Sequence, residues 1–404
     1  MIKIVIDTKG ADKGVDTLIK GVALALKQFS DVSYLLVGDE EYIKEACEKF
    51  AVSMERIEIL DAPEEITNYD NPAEVIFTKR NSSMIKSLEA LSVRDDLFGF
   101  LTAGNTGALL VGAMRHLPKE TRVRPALAAL LPAESGGFVC VVDTGATVDC
   151  TPQMLHHFAH LGREFMMSVY GIENPKIGIL SNGAEESKGN KLVKESFPLL
   201  KGDESLNFIG NVEGTNALSG ICDVLVCDGF AGNQVLKVTE GAAKRVITDV
   251  VKFAKKTGSE DVTALVKQLL VMYDLESLGG ANLLGVRKPI VKMHGSANER
   301  TIVNSTEMLL NMDHNKAVFD LEMFEKRRRK MLDTLKEMLE LVMPEADTRG
   351  VTEETKLQED LGFDSLAMMM LAMEIENKFN FRFNEFVAFK TVGDVCEYIE
   401  NHKQ

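Results

Sequence analysis

Four glycine-bearing loops and one serine hold the residues of this chain that could do chemistry. Thr102-Ala103-Gly104-Asn105-Thr106-Gly107-Ala108 follows an apolar run and opens a helical pattern at Leu109–His116. Backbone N–H groups at such a junction converge on an anion, and glycines let it approach closely; the alternative is a plain turn. Ser181-Asn182-Gly183-Ala184-Glu185-Glu186-Ser187-Lys188-Gly189-Asn190 brings a lysine to a glycine-flanked turn, where its charge can neutralise a phosphate or a developing oxyanion. Val226-Cys227-Asp228-Gly229-Phe230-Ala231-Gly232-Asn233 and Met293-His294-Gly295-Ser296 are the third and fourth loops. Near the C-terminus, Leu361-Gly362-Phe363-Asp364-Ser365-Leu366 sets a serine at the start of a helical pattern. The helix dipole there favours an anion, although Asp-Ser also serves as an N-cap.

The elements that must position these loops are legible as apolar runs. Ile2–Ile6, Tyr34–Val37, Ile57–Leu60, Leu97–Leu101, Phe138–Val142, Ile177–Leu180, Val224–Cys227 and Ile290–Met293 alternate with longer helical patterns. That alternation predicts a parallel, doubly wound α/β sheet with both faces covered. Ligands then belong in the loops after the carboxyl ends of the strands. Beyond about residue 311 the pattern turns glycine-free and charged, ending in Glu325-Lys326-Arg327-Arg328-Arg329-Lys330. A small all-α module follows, with helices expected near 331–343, from Ser365, and near 391–402. In the Ser365 helix, Leu366, Met369, Met370 and Met373 have the spacing of a buried face. The expected division is 1–322, a basic linker at 323–330, and 331–404.

Composition excludes several classes. Residues 331–404 hold sixteen acids against seven bases, a net of −9, which leaves −6 of the chain's −15 for the rest. An acidic module on a nearly balanced one fits basic protein surfaces and not nucleic acid. The six cysteines form no Cys-x-x-Cys pair, so reduced thiols in a cytoplasmic protein are expected. No apolar run approaches a membrane span. His156-His157-x-x-His160 has ligand spacing but no adjacent acid, so no metal is expected. Val262, Leu265, Val266, Leu269, Leu270 and Tyr273 form an apolar stripe that predicts core or dimer packing, and weak peripheral membrane contact stays open beside it.

The C-terminal module resembles an acyl carrier protein. The resemblance rests on Glu359-Asp360-Leu361-Gly362-x-Asp364-Ser365-Leu366, on Glu374-Ile375-Glu376-x-x-Phe379, and on Thr391-Val392-Gly393-Asp394-Val395-x-x-Tyr398-Ile399. It implies a four-helix bundle with 4′-phosphopantetheine on Ser365. Carriers of this family present acids two and five positions after the serine, where this chain has Ala367 and Met370. Docking through methionines, Met368 to Met370, is therefore expected in place of charge steering.

Residues 1–305 resemble the bacterial phosphate acyltransferases. The matching segments are Ala103-Gly104-Asn105-Thr106-Gly107-Ala108, Arg124-Pro125-Ala126-Leu127, Val148-Asp149-Cys150-Thr151-Pro152, Glu185-Glu186-x-Lys188-Gly189-Asn190 and Asn207-Phe208-Ile209-Gly210-Asn211-Val212-Glu213-Gly214. Cys227-Asp228-Gly229-Phe230-x-Gly232-Asn233, Gly279-Gly280-Ala281-x-Leu283-Leu284-Gly285 and His294-Gly295-Ser296 follow in order. The resemblance implies a three-layer Rossmann-like fold related to phosphotransacetylases and isopropylmalate dehydrogenases, and a homodimer. It also implies reversible exchange of acyl-carrier thioester and inorganic phosphate for acyl phosphate and free carrier, feeding phospholipid synthesis through a membrane glycerol-3-phosphate acyltransferase.

On that reading Lys188 stabilises phosphate and oxyanion, and Asn233 and Asn105 donate hydrogen bonds. Asp228 orients Lys188 or Asn233, while His294 protonates the leaving thiolate or is structural. Gly104, Thr106, Gly107, Asn190, Asn211, Gly10 and Asp12 would hold phosphate and substrate. The first loop, Asp7-Thr8-Lys9-Gly10-Ala11-Asp12 with Val15, departs from the family's Asp-Ala-Met-Gly-Gly-Asp and its later proline. Altered handling of phosphate or carrier, or lost activity, is the corresponding expectation. Two further readings are a carrier-presenting scaffold and a phosphotransacetylase-like enzyme using coenzyme A thioesters. The carrier that serves the site could be the chain's own, in cis or in trans, or a free one.

Overall fold

The computed structural model describes residues 1–117, 124–273, 279–314, 332, 334–339, 342, 348, 350–363, 365–379 and 389–402. The chain divides into two compact units, 1–319 and 320–404. The linker expected at 323–330 lies outside the described residues.

In the first unit eleven described strands make one sheet. They are β1 Ile2–Asp7, β2 Val32–Gly38, β3 Ile57–Asp61, β4 Leu97–Thr102, β5 Ala126–Pro132, β6 Phe138–Val142, β7 Lys176–Ser181, β8 Asn207–Glu213, β9 Val224–Val226, β10 Ala281–Leu284 and β11 Ile290–Lys292. Their order is β3-β2-β1-β4-β11-β10-β5-β6-β9-β7-β8. Side chains alternate between two cores: Ile4, Ile6, Tyr34 and Leu36 belong to one, Val5, Leu35 and Val37 to the other. Helices therefore cover both faces, giving three layers. A buried hydrogen bond of 2.9 Å between Tyr34 Oη and Thr306 Oγ1 ties β2 to the Glu299–His314 helix.

All eight expected runs are strands, but the sheet is not parallel throughout. β10 runs antiparallel to both β11 and β5, and β5 runs antiparallel to β6. The reversal from β5 to β6 is a hairpin whose turn contains Gly136 and Gly137, both at positive φ. Two parallel halves, β3-β2-β1-β4-β11 and β6-β9-β7-β8, are thus joined through an antiparallel centre. In the first half the chain winds outward from β1 to β3 and returns beyond β1 as β4. The gap between β1 and β4 is the switch point at which a crevice opens.

In the second unit, Ser365–Phe379 and Val392–His402 are helices, and 334–339 is helical. The expected buried face of the Ser365 helix is corrected. Ala367, Leu371 and Ile375 are buried, whereas Met369 and Met373 are 62% and 58% exposed and Met370 is exposed as well. Met368 is partly packed on the core. Two apolar stripes interleave on this helix, and spacing alone does not say which one the bundle covers. The 262–273 stripe is also not core within this chain. Leu265 and Leu270 are exposed, with Val262, Val266, Leu269 and Tyr273 half-buried on the Glu260–Tyr273 helix. Among the described residues no helix is long and apolar enough to cross a membrane.

Candidate functional site

The switch point gathers charge. Asp7 ends β1 and is buried; its carboxylate accepts hydrogen bonds from Ser83 Oγ at 2.6 Å, Thr102 Oγ1 at 2.8 Å and the Lys9 amide at 3.1 Å. Burial pushes its pKa up to about 6, against the downward pull of those hydrogen bonds. Gly10 takes φ +77°, and a Cβ there would stand 2.5 Å from Gly104 Cα, so the first loop and the β4 loop touch backbone to backbone. The Asp12 amide donates to Gly295 O at 2.7 Å, which brings the loop after β11 to the same place.

Lys292, the last residue of β11, reaches back under these loops. Its Nζ donates to the carbonyls of Ala103 and Met293. Burial pushes its pKa down to about 8; Lys237 adds to this, and Asp7 and Asp12 oppose it. His294 Nε2 lies 2.8 Å from Lys237 Nζ, and its Nδ1 lies 2.7 Å from Ser296 Oγ. The Ser296 amide also donates to Nδ1, at 3.2 Å, so Lys237 and Ser296 together orient the ring. His294 and Lys237 thus stand side by side at the switch point.

Lys237 belongs to the Gly229–Thr257 helix, one turn beyond Asn233, so one helix face runs from the second half of the sheet to the switch point. The start of that helix is locked by a turn after β6. Asp143 is buried, and its carboxylate accepts four amides: Leu127 at 3.0 Å, Gly145 at 3.0 Å, Ala146 at 2.9 Å and Thr147 at 2.7 Å. The Gly229 amide donates to Thr147 O, and a Cβ on Gly232 would stand 1.9 Å from Asp143 O. A Cβ on Gly145 would approach Asn233 Oδ1 to 3.8 Å, so Asn233 faces this turn. Burial pushes the neighbouring thiol of Cys150 up to about 12, which keeps it protonated and a poor nucleophile.

Several expected site residues are occupied in building the loops. Asn105 caps the Thr106–His116 helix, its Oδ1 accepting from Ala108 N at 2.9 Å and its Nδ2 donating to Thr67 O at 3.2 Å. Thr106 opens that helix, and Gly107 abuts Pro72, where a Cβ would clash at 2.6 Å. Asp228 caps its own helix by accepting from Ala231 N at 2.7 Å. No hydrogen bond among the described residues joins it to Lys188 or Asn233. Asn190 caps the Lys191–Gly202 helix through Val193 N, and Asn211 Nδ2 holds the Lys188 loop by donating to Glu185 O at 2.7 Å. Lys188 itself is exposed in the loop after β7, which neighbours β9 and its Asp228 loop.

Gly10, Gly104, Asp12 and His294 are therefore brought together at the switch point. Asn233 and Asp228 connect to them through one helix, and Lys188, Asn190 and Asn211 lie on the other half of the sheet. Ser365 opens its helix in the second unit, as expected. The reading from sequence missed Asp7, Ser83, Thr102, Lys237, Lys292 and Asp143 as a set. Asp7, Thr102, Asp143 and Lys292 share one available signal, a polar residue closing or just following an apolar strand. Lys237 had none beyond its one-turn spacing from Asn233.

Comparison with known proteins follows the same division. Residues 2–317 match the family described as Fatty acid synthesis protein, and residues 332–399 match the Phosphopantetheine attachment site. A phosphate acyltransferase of Halothermothrix orenii is 38% identical over 315 residues, which are 76% of this chain and 93% of that protein. One from Caldanaerobacter subterraneus subsp. tengcongensis is 39% identical over 321 residues, 78% of this chain and 94% of that protein. A solved phosphotransacetylase from Streptococcus pyogenes covers 78% of this chain and 94% of its own with a TM-score of 0.53 and 17% identity, a likeness of fold alone.

Proposed function

We propose, because this chain belongs to the phosphate acyltransferase family, that its large unit exchanges the acyl group of a carrier thioester with inorganic phosphate and that the carrier is its own C-terminal unit. The chain is an acyltransferase that also bears a phosphopantetheine attachment domain. One observation supports the coupling: the enzyme and the attachment site share a single chain, with Ser365 at the first turn of a helix. Unpaired amides and the dipole at that turn suit a phosphodiester. The pantetheine thiol would present the acyl group as thioester.

Phosphate is anionic at neutral pH, so its attack on the thioester carbonyl requires no strong base. Orientation is required, together with positive charge for the phosphate and for the oxyanion that forms before thiolate leaves. Lys188 remains our first assignment for that charge, and Lys237, beside His294 at the switch point, is the second. Asn233 is the amide donor on the same helix as Lys237, whereas Asn105 acts as a cap beside Gly104. Gly10, Asp12, Gly104, Thr106, Gly107, Asn190 and Asn211 shape the loops around phosphate and substrate. The acyl phosphate formed would be consumed by a membrane glycerol-3-phosphate acyltransferase in phospholipid synthesis. The exposed Leu265 and Leu270 stripe supports a homodimer, with peripheral membrane contact as the competing use of that surface.

The test loads the phosphopantetheinylated chain with an acyl group, adds phosphate, and follows thioester loss with acyl phosphate formation. Ser365→Ala supplied with free acyl carrier or with acyl-coenzyme A identifies the donor. An inert loaded chain would end the coupled reading, and selective use of acyl-coenzyme A would favour the phosphotransacetylase-like one. Lys188→Ala is expected to lower kcat at least 100-fold with little change in carrier binding; near-normal turnover removes Lys188 from the chemistry.

A further inference from the structure

His156 and His160 stand one turn apart on the Pro152–Tyr170 helix, and Asp203 is the residue that ends the Lys191–Gly202 helix. Both Nε2 atoms lie 2.8 Å from the same oxygen, Asp203 Oδ2. Among the described residues this is the one group of three His, Cys, Asp or Glu side chains whose ligand atoms converge, all within 4.8 Å of one another. The acid that His156-His157-x-x-His160 lacks in sequence is thus supplied by another helix. Asp203 Oδ1 accepts from the Ser205 amide at 2.9 Å and from Ser205 Oγ at 2.6 Å. Those bonds fix the carboxylate and leave Oδ2 to the rings, the outer-shell support that metal ligands usually have.

We propose that His156 Nε2, His160 Nε2 and Asp203 Oδ2 bind one divalent transition-metal ion of the zinc class, with water as the fourth ligand. Two imidazole nitrogens and one carboxylate oxygen are a borderline donor set that suits zinc; magnesium and calcium prefer oxygen throughout. The side chains of His156, Asp203 and His160 are 25%, 16% and 9% exposed, so one side of the trio is open to water. Tetrahedral angles at metal–ligand bonds of about 2.1 Å require ligand atoms about 3.4 Å apart. The histidine nitrogens at 2.8 Å from Oδ2 would therefore move outward by roughly 0.6 Å, within the reach of χ rotations. Each ring then carries its proton on Nδ1 and turns the Nε2 lone pair to the ion. The ion would clamp the helix that follows the Asp143–Thr151 segment to the Lys191–Gly202 helix. This inference does not depend on the acyl-transfer reading.

The experiment uses the full chain stripped with EDTA and titrated with zinc sulfate, reading bound metal and Tm, with Co²⁺ as a spectroscopic substitute. The wild type is expected to hold one equivalent and to gain roughly 5 °C at saturation. His156→Ala/His160→Ala is expected to lose both effects, and Asp203→Asn to bind at least 10-fold more weakly. Equal stoichiometry in wild type and double variant, or no zinc-dependent rise in Tm, overturns the proposal. Should the double variant fail to fold in EDTA, the wild-type Co²⁺ spectrum decides: visible absorption of a tetrahedral nitrogen–oxygen site supports the proposal, and its absence overturns it.

Discussion

Asp7 combines complete burial with three hydrogen bonds to its charged form, so its protonation is linked to folding. The folded pKa of about 6 lies above the model-peptide value of 3.8. Between these values the native state holds a proton that the unfolded chain has released, so stability falls as pH rises through that window. Below it the contribution is fully present, and above about pH 6 it is gone. The difference is about 3 kcal/mol. Urea unfolding at several pH values is expected to show Asp7→Asn gaining on the wild type between pH 4 and 6 and holding a constant offset above; a constant offset across the whole range would disprove the linkage. Lys237 carries the second prediction at this scale. Its ammonium meets His294 Nε2 at 2.8 Å, so Lys237→Met removes a positive charge from the crevice with little change of shape. Thiol release is expected to slow 10- to 100-fold in kcat; a change under twofold would remove Lys237 from the reaction.

Gly10 shows why one loop could be read from sequence only in part. Substitution by Ala11 in place of the family's second glycine looked like a defect. In the structure Gly10 takes the left-handed φ and touches Gly104, while Ala11 is not among the residues at positive φ. Gly10→Ala is expected to lose at least about 2 kcal/mol, from strain plus backbone contact, and most turnover. Ala11→Gly should stay within about 1 kcal/mol of wild type, measured by urea midpoints, and keep its activity. Across the elements, the eight strands rich in Ile, Val and Leu were legible because both faces of the sheet bury them. The other three were not, each for a local reason. β5 mixes three alanines with three leucines and ends in Pro132, β8 is broken by Gly210, and β10 is four residues long with Asn282 at its second position. β5 and β10 are also the strands that reverse the sheet, so missing them meant missing the antiparallel centre. The methionine stripe failed for a different reason: periodicity identifies an apolar face but not its partner. Crevice residues such as Ser83 and Lys237 escape because tertiary topology alone brings them to the ends of β1 and β11.

At the scale of the whole molecule, the two units differ in charge and in chemistry, and the relatives of the first account for only about three quarters of the chain. A carrier held on the enzyme's own chain changes the kinetics of delivery. Joining the two units in one chain makes their encounter intramolecular, at an effective concentration on the order of millimolar where the connection lets them meet. Supply of thioester should then not depend on how much protein is present. The acyl-loaded chain diluted about 100-fold, from micromolar toward nanomolar, is expected to lose its acyl group to phosphate with an unchanged first-order rate constant. Delivery between separate molecules would slow the reaction in proportion to dilution. Loaded chains carrying Lys188→Ala, mixed with Ser365→Ala chains, separate the remaining cases. Turnover in the mixture that survives dilution places the transfer between the mates of a dimer, and no turnover places it within one chain. The exposed Met369, Met370 and Met373 stripe would give such delivery an adaptable surface where charge is missing at Ala367 and Met370. Met369→Glu/Met373→Glu is therefore expected to slow transfer from the attached carrier at least 10-fold while leaving the Tm of the bundle within a few degrees, since neither residue is part of its core.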